Sequence, residues 1–186
     1  MTNFDFHNLL FPSEFEELCR DILQIKESPL KFRTFGEWRD NGIDIECTTS
    51  KERIIGQCKR YNPSNYPALK SSLKQEVLKC KKLNADRYIL CVSLSLGVGQ
   101  FEDIITLFDG HLKKDDIIDS KKLNQYLGEQ EYQHLKKSYS KLLVPNLSYV
   151  ESLLDTIINK EVYRKFHKTT ESFLRDINKN TNFFIM

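Results

Sequence analysis

No run of apolar residues in this sequence approaches the ~18–20 needed to span a bilayer, so a membrane helix is not expected. The opening MTNFDFHNLLFPSEFEE has neither a basic start nor a small-residue cleavage site, and no secretory signal is expected. The five cysteines (Cys19, Cys47, Cys58, Cys80 and Cys91) form no CxxC pair, and their number is odd. They read as reduced, mostly buried thiols of a cytoplasmic protein rather than as a disulfide framework. His7, His111, His134 and His167 are scattered, with no zinc-type spacing to each other or to the cysteines. Gly97-Val98-Gly99 is not followed by Gly-Lys-Ser/Thr, so it is not a phosphate loop. Ser93 and Ser95 have no His/Asp arrangement that would make either a nucleophile. Internal repeats and low-complexity segments are also missing.

The 186 residues are 40% hydrophobic and 29% charged, as expected for one globular domain with a small appendage. A net charge of +2 says little about partners, but its distribution says more. Between Lys51 and Arg87, ten lysines and arginines face three acids, Glu52, Glu76 and Asp86. That surplus suits a phosphate backbone, and equally a solvated helix face.

Pro12-Ser13 predicts a helix start, with Ser13 as N-cap and Glu16 at capping-box spacing. Phe15, Leu18, Cys19 and Ile22 follow at helical period, and Ser28-Pro29 ends the helix. Leu30 to Trp38, Ile43 to Thr48 and Arg53 to Arg60 read as strands, the first two separated by the turn signal Asp40-Asn41-Gly42. Ala68 to Asn84 reads as a helix, Tyr88 to Leu94 as a buried strand, and Gly99 to Phe108 as a helix. The predicted order is αβββαβ. Beyond Gly110 the pattern is helical and charged: 121–127, 131–143, 148–158 and 160–177.

Within NGIDIECTTSKERIIGQCKRY, Asp44 and then Gln57-Cys58-Lys59 stand inside predicted strands, where Asp is disfavoured. Alternation puts Asp44 with Glu46 on one strand face, and Gln57 with Lys59 on one face of the next. A hairpin between them can bring an acid, an amide oxygen and an ammonium to one spot. Hard oxygens suit Mg²⁺, and an ammonium can stabilise developing phosphate charge. The bland readings are a turn-capping role for Asp44, an exposed strand face for Gln57 and Lys59, and the capping box for Glu16. Trp38 and Tyr61 flank strands and read as core or rim.

Asp44 followed by Gln57-x-Lys59, with "FEELCRDIL" before and "GQCKRY" around them, resembles the PD-(D/E)xK nuclease superfamily, and in particular its Mrr-like restriction endonuclease branch. The resemblance covers about Pro12 to Phe108. It implies a restriction-endonuclease-like α/β fold with a mixed central sheet, here followed by a helical extension. Residues 1–110 would be the nuclease core, and 111–186 an extension. The resemblance also implies a Mg²⁺-dependent DNA endonuclease acting on double-stranded DNA, with Mn²⁺ as the alternative ion. Gln57 stands where most of the superfamily carries Glu or Asp, so a further carboxylate is expected at the metal. In this branch it comes from the first helix. Glu16 matches that position, with Glu17 and Glu46 as alternatives. The implied catalytic set is Asp44, Gln57, Lys59 and Glu16. The implied metal ligands are Asp44, Gln57, Glu16 and the Cys58 carbonyl, and Lys59, Arg60, Lys70 and Lys74 would contact DNA.

Asp115 to Leu143 resembles the segment that follows Mrr-like domains in prokaryotic antiviral STAND-type NTPases, the Avs group among them. That resemblance implies an effector domain leading into an NTPase beyond the apolar Phe183-Phe184-Ile185-Met186. It also implies self-association through the larger chain. The alternative is a catalytically weak or inactive module on the same fold, serving nucleic-acid binding or oligomerisation.

Overall fold

The computed structural model describes residues 3–35, 42–139 and 142. The chain divides into two units, Met1–Leu143 and Val144–Met186. The second lies outside the described residues, and with it the helices expected over 148–158 and 160–177.

In the first unit the order is α1 (Phe6–Leu9), α2 (Pro12–Lys26), β1 (Arg33–Thr34), β2 (Ile45–Thr48), β3 (Arg53–Lys59), α3 (Tyr66–Lys82), β4 (Arg87–Val92), α4 (Val98–Phe108), β5 (Ile117–Ile118), α5 (Ser120–Gly128) and α6 (Gln133–Ser138). Short 3₁₀ turns lie at Lys114–Asp116 and Gln130–Tyr132. From α2 to β4 this is the expected αβββαβ order. Among the described residues the sheet has five strands, ordered β1-β2-β3-β4-β5. The first two pairings are antiparallel and the last two parallel. The fold is therefore α/β with a mixed sheet, consistent with a restriction-endonuclease-like core. Of the strand expected over Leu30 to Trp38, Arg33–Thr34 pairs with β2, and residues 36–41 lie outside the described set.

Side chains alternate along the strands, and each set meets its own layer. Ile45, Cys47, Ile54, Cys58, Ile89, Cys91 and Ile118 pack with Phe15, Leu18, Cys19, Ile22 and Leu23 of α2. Ile55, Tyr88, Leu90, Val92 and Ile117 pack with α3 and α4 through Leu69, Leu73, Val77, Ile104 and Phe108. Gly56 stands opposite Ile45, and a Cβ there would come within 3.1 Å of the Ile45 Cβ. The close approach of β2 and β3 thus favours glycine at this position.

The start of α2 differs from the expectation. Phe11, not Ser13, is the N-cap, and Pro12 occupies the first helical turn, where its missing N–H costs nothing. Glu14, not Glu16, reaches back to the Phe11 N–H at 2.7 Å. The sequence fits both frames, but proline in the first turn and a carboxylate three residues past Phe11 select the earlier one. Glu16 is thus not the capping-box carboxylate of this helix.

The segment from His111 onward also packs differently from an appended extension. Ile118, Leu123, Leu127, Tyr132, Leu135 and Leu142 belong to the same buried cluster as α2. The Tyr139 hydroxyl donates to Asp21 at 2.8 Å, and the Phe4 N–H donates to Asn124 at 2.8 Å. The first unit accordingly runs to Leu143.

Candidate active site

The β2–β3 register pairs Ile45 with Gly56 and Glu46 with Ile55. One step further, Asp44 comes opposite Gln57, beyond the last rung of the ladder. The Lys59 carbonyl accepts from the Ser93 N–H on the β4 side, at 3.1 Å. By alternation the Cys58 N–H and carbonyl face β2, where no strand residue remains to meet them. Asp44 takes over: its Oδ2 accepts from the Cys58 N–H at 2.7 Å and from Gln57 Nε2 at 2.6 Å. The chain reaches this position through Gly42, whose φ of +75° favours glycine.

Lys59 shares the strand face of Gln57. Its Nζ donates to Glu76 Oε1 at 3.0 Å, and Lys79 Nζ donates to the same oxygen at 3.0 Å. Lys79 also lies over Gly42: a Cβ on that glycine would be 2.9 Å from the Lys79 nitrogen. Glu76 is therefore beside the turn that delivers Asp44. It is buried, and sequence reasoning missed it by counting it among the charges of a basic helix. A signal was present, because Leu69, Leu73, Glu76, Val77 and Cys80 form one buried stripe of α3, and an acid on such a stripe needs a partner.

Tyr88, on β4, completes the surroundings. Burial, followed by the negative charge of Glu76, holds its hydroxyl well above the ordinary phenol range, and Asp44 adds to the shift. The hydroxyl therefore stays protonated. Among the described residues, Gln57 Oε1, Glu76 Oε2 and the Tyr88 hydroxyl are buried with no hydrogen-bond partner. An orphaned buried oxygen is costly. Here it supplies the donor chemistry that a hard divalent cation accepts. Asp44, Gln57 Oε1, the Cys58 carbonyl and Glu76 Oε2 are the hard oxygens of this region that could hold a divalent cation.

The three glutamates proposed to complete the site separate clearly. Glu46 is buried between Arg33 Nη2 at 2.5 Å and Arg53 Nε at 2.9 Å. Burial raises its pKa, but these two guanidinium bonds outweigh it and leave the carboxyl below its usual range. Glu17 is exposed and acts electrostatically on Tyr139, on the α6 side. Glu16 is half-buried, one helical turn before Cys19, whose thiol contacts Cys58.

The residues expected to contact DNA also divide. Arg60 Nη1 donates to the His7 carbonyl, which ties β3 to α1. Lys70 pairs with Asp103 of α4 at 2.7 Å, and both side chains are substantially exposed. Lys74 is exposed on α3. Lys59 lies inside the site rather than on a rim.

An acid, an amide and a lysine stand at the end of a β-hairpin in an αβββαβ core, an arrangement consistent with a restriction-endonuclease-like fold. Residues 9–92, which contain Asp44, Gln57 and Lys59, match the Mrr_cat family model, a restriction endonuclease. Over 158 residues the chain is 27% identical to protein y4cD of Sinorhizobium fredii (strain NBRC 101917 / NGR234), covering 84% of this chain and 24% of that protein. The chain thus spans about a quarter of the length of this relative.

Proposed function

We propose that this domain is a Mg²⁺-dependent endonuclease of double-stranded DNA and the effector part of a larger, NTPase-containing antiviral protein. The observation that carries the nuclease reading is the meeting of Asp44 with Gln57 and the Cys58 N–H, on the strand that also presents Lys59. Asp44, Gln57, the Cys58 carbonyl and Glu16 would hold the ion, and Mn²⁺ would fit the same oxygens. When bound, the ion polarises the scissile phosphate and neutralises its charge. Asp44 fixes the Gln57 amide and the strand end. Lys59 keeps its ammonium on the same face, where it can orient the attacking water and stabilise negative charge developing on the phosphate. Glu76 anchors that ammonium from the opposite side. Lys70, Lys74 and Arg60 supply positive charge for the DNA backbone.

The larger setting is supported by the Asp115–Leu143 resemblance and by a relative about four times as long as the matched region. Assembly through the NTPase part would bring nuclease domains together on DNA. The alternative, a weakly active binding module, draws support from the Lys59–Glu76 ion pair, which engages the catalytic ammonium. Incubation with supercoiled plasmid and Mg²⁺ separates the two readings. Nicked or linear product that chelator abolishes and Asp44→Ala lacks is the expected result. Equal cutting by wild type and Asp44→Ala would remove the site assignment.

A further inference from the structure

On the sheet face opposite Gln57 and Lys59, three sulfurs converge. Cys58 and Cys91 are direct partners in the parallel β3–β4 register, so their side chains stand side by side beneath α2. Cys19 comes down from α2, and all three Sγ atoms lie within 4.8 Å of one another. Each is buried, and Cys58 alone keeps a trace of exposure, 8%. Cys47 and Cys80 are also buried but do not join the group. Hydrophobic packing accounts for a buried thiol taken singly. It does not account for three sulfurs from three separate elements aimed at one point.

We propose that Cys19, Cys58 and Cys91 form an all-sulfur binding site for a soft monovalent cation, with Cu⁺ the best-matched ion. Thiolate donors select soft ions over Mg²⁺, so this site and the oxygen site on the other face would not compete for one metal. A metal–sulfur bond of ~2.3 Å sets sulfur separations of about 4 Å around a three-coordinate ion, and the three Sγ atoms already lie within 4.8 Å of one another. Zn²⁺ in structural sites takes four ligands. Among the described residues no histidine, carboxylate or fourth cysteine joins these three. Three-coordination by sulfur is a geometry that Cu⁺ accepts. Thiolate, not thiol, is the ligating form, so each sulfur that binds Cu⁺ gives up its proton to solvent. The β3 backbone at Cys58 links the two sites, since the residue whose sulfur would bind copper also offers its N–H to Asp44.

The test is anaerobic competition for Cu⁺ between the chain and a coloured bicinchoninate complex, with X-ray absorption on the loaded protein. Neither measurement uses DNA cleavage, so failure here leaves the nuclease reading standing. The expected result is one Cu⁺ withdrawn per chain and three sulfur neighbours around it. The double variant Cys47→Ala/Cys80→Ala should match wild type. Cys19→Ala and Cys91→Ala, each checked for cooperative melting, should weaken uptake beyond the roughly 10–100-fold typical of losing an outer-shell partner. Failure of folded wild type to withdraw Cu⁺ would overturn the proposal. So would a coordination sphere of nitrogen or oxygen, or unchanged uptake by a folded Cys91→Ala protein. The absorption measurement on wild type decides the matter even if the alanine variants do not fold.

Discussion

Asp44 serves backbone and chemistry together, and its substitutions should separate the two. Asp44→Ala leaves the Cys58 N–H without an acceptor, a loss of about 1–3 kcal/mol. Asp44→Asn keeps an oxygen acceptor and nearly the same volume, but removes the charge a cation needs. Expected for Asn is a melting temperature close to wild type with cleavage lowered by about 10²–10³-fold, read by denaturation and plasmid assays in parallel. Loss of stability without loss of activity would reduce Asp44 to a strand cap. Glu76 invites the converse prediction. Glu76→Gln leaves the mostly buried Lys59 ammonium without its counter-ion, and breaking a buried pair costs about 3–5 kcal/mol. A denaturant midpoint well below wild type is expected, and Lys59→Met/Glu76→Gln together should recover part of it. Asp44, Gln57 and Lys59 were legible because polar residues in a β-hairpin ask for an explanation. Glu76 was legible only as an acid on the apolar stripe of α3, since its partners come from β3 and from its own helix and packing alone brings them to it.

Among the elements, α2 is the one whose ends matter most. Its end is held by Arg87, which opens β4 and bonds Glu27 through two nitrogens at 3.0 Å and Asp116 at 2.7 Å. Bonding to Arg87 holds the Glu27 carboxyl down at about 2, against burial that would raise it. A carboxyl depressed in the folded state favours folding fully above its unfolded value of 4.5 and loses that contribution as pH falls toward 2. Glu27→Gln should therefore show a flatter loss of melting temperature between about pH 4.5 and 2 than wild type. Parallel slopes would remove Glu27 from the acid response. Strand and helix periodicity made the α2–β4 elements readable to within a few residues. The start of α2 was misplaced because Ser13-Glu16 and Phe11-Glu14 offer the same spacing, and only the hydrogen bond at Phe11 chooses between them.

For the molecule as a whole, the core extends past the region that sequence pattern alone delimits. The stretch Lys113 to Asp119 is polar apart from Ile117-Ile118, and nothing local says that this pair adds a strand beside β4. A chain ending after Gly110 loses Ile118, Leu123, Leu127, Tyr132 and Leu135 from beneath α2. It should fail to melt cooperatively, whereas a chain ending after Leu143 should keep a sharp transition in calorimetry. Two equally sharp transitions would restore the shorter domain. The long-range partners of β5 and α5 explain why this boundary was hidden: they meet α2 about a hundred residues away in sequence. Arg87 and Lys59 bear on the same sheet differently. In the parallel β3–β4 register, Arg87 stands beside Ile54 at one rim and Lys59 beside Val92 at the other. The ionic bolt and the proposed catalytic margin thus occupy opposite edges of one plate. The first can be re-engineered, with apolar contacts in place of its charges, and the groups that would touch a nucleic acid stay where they are.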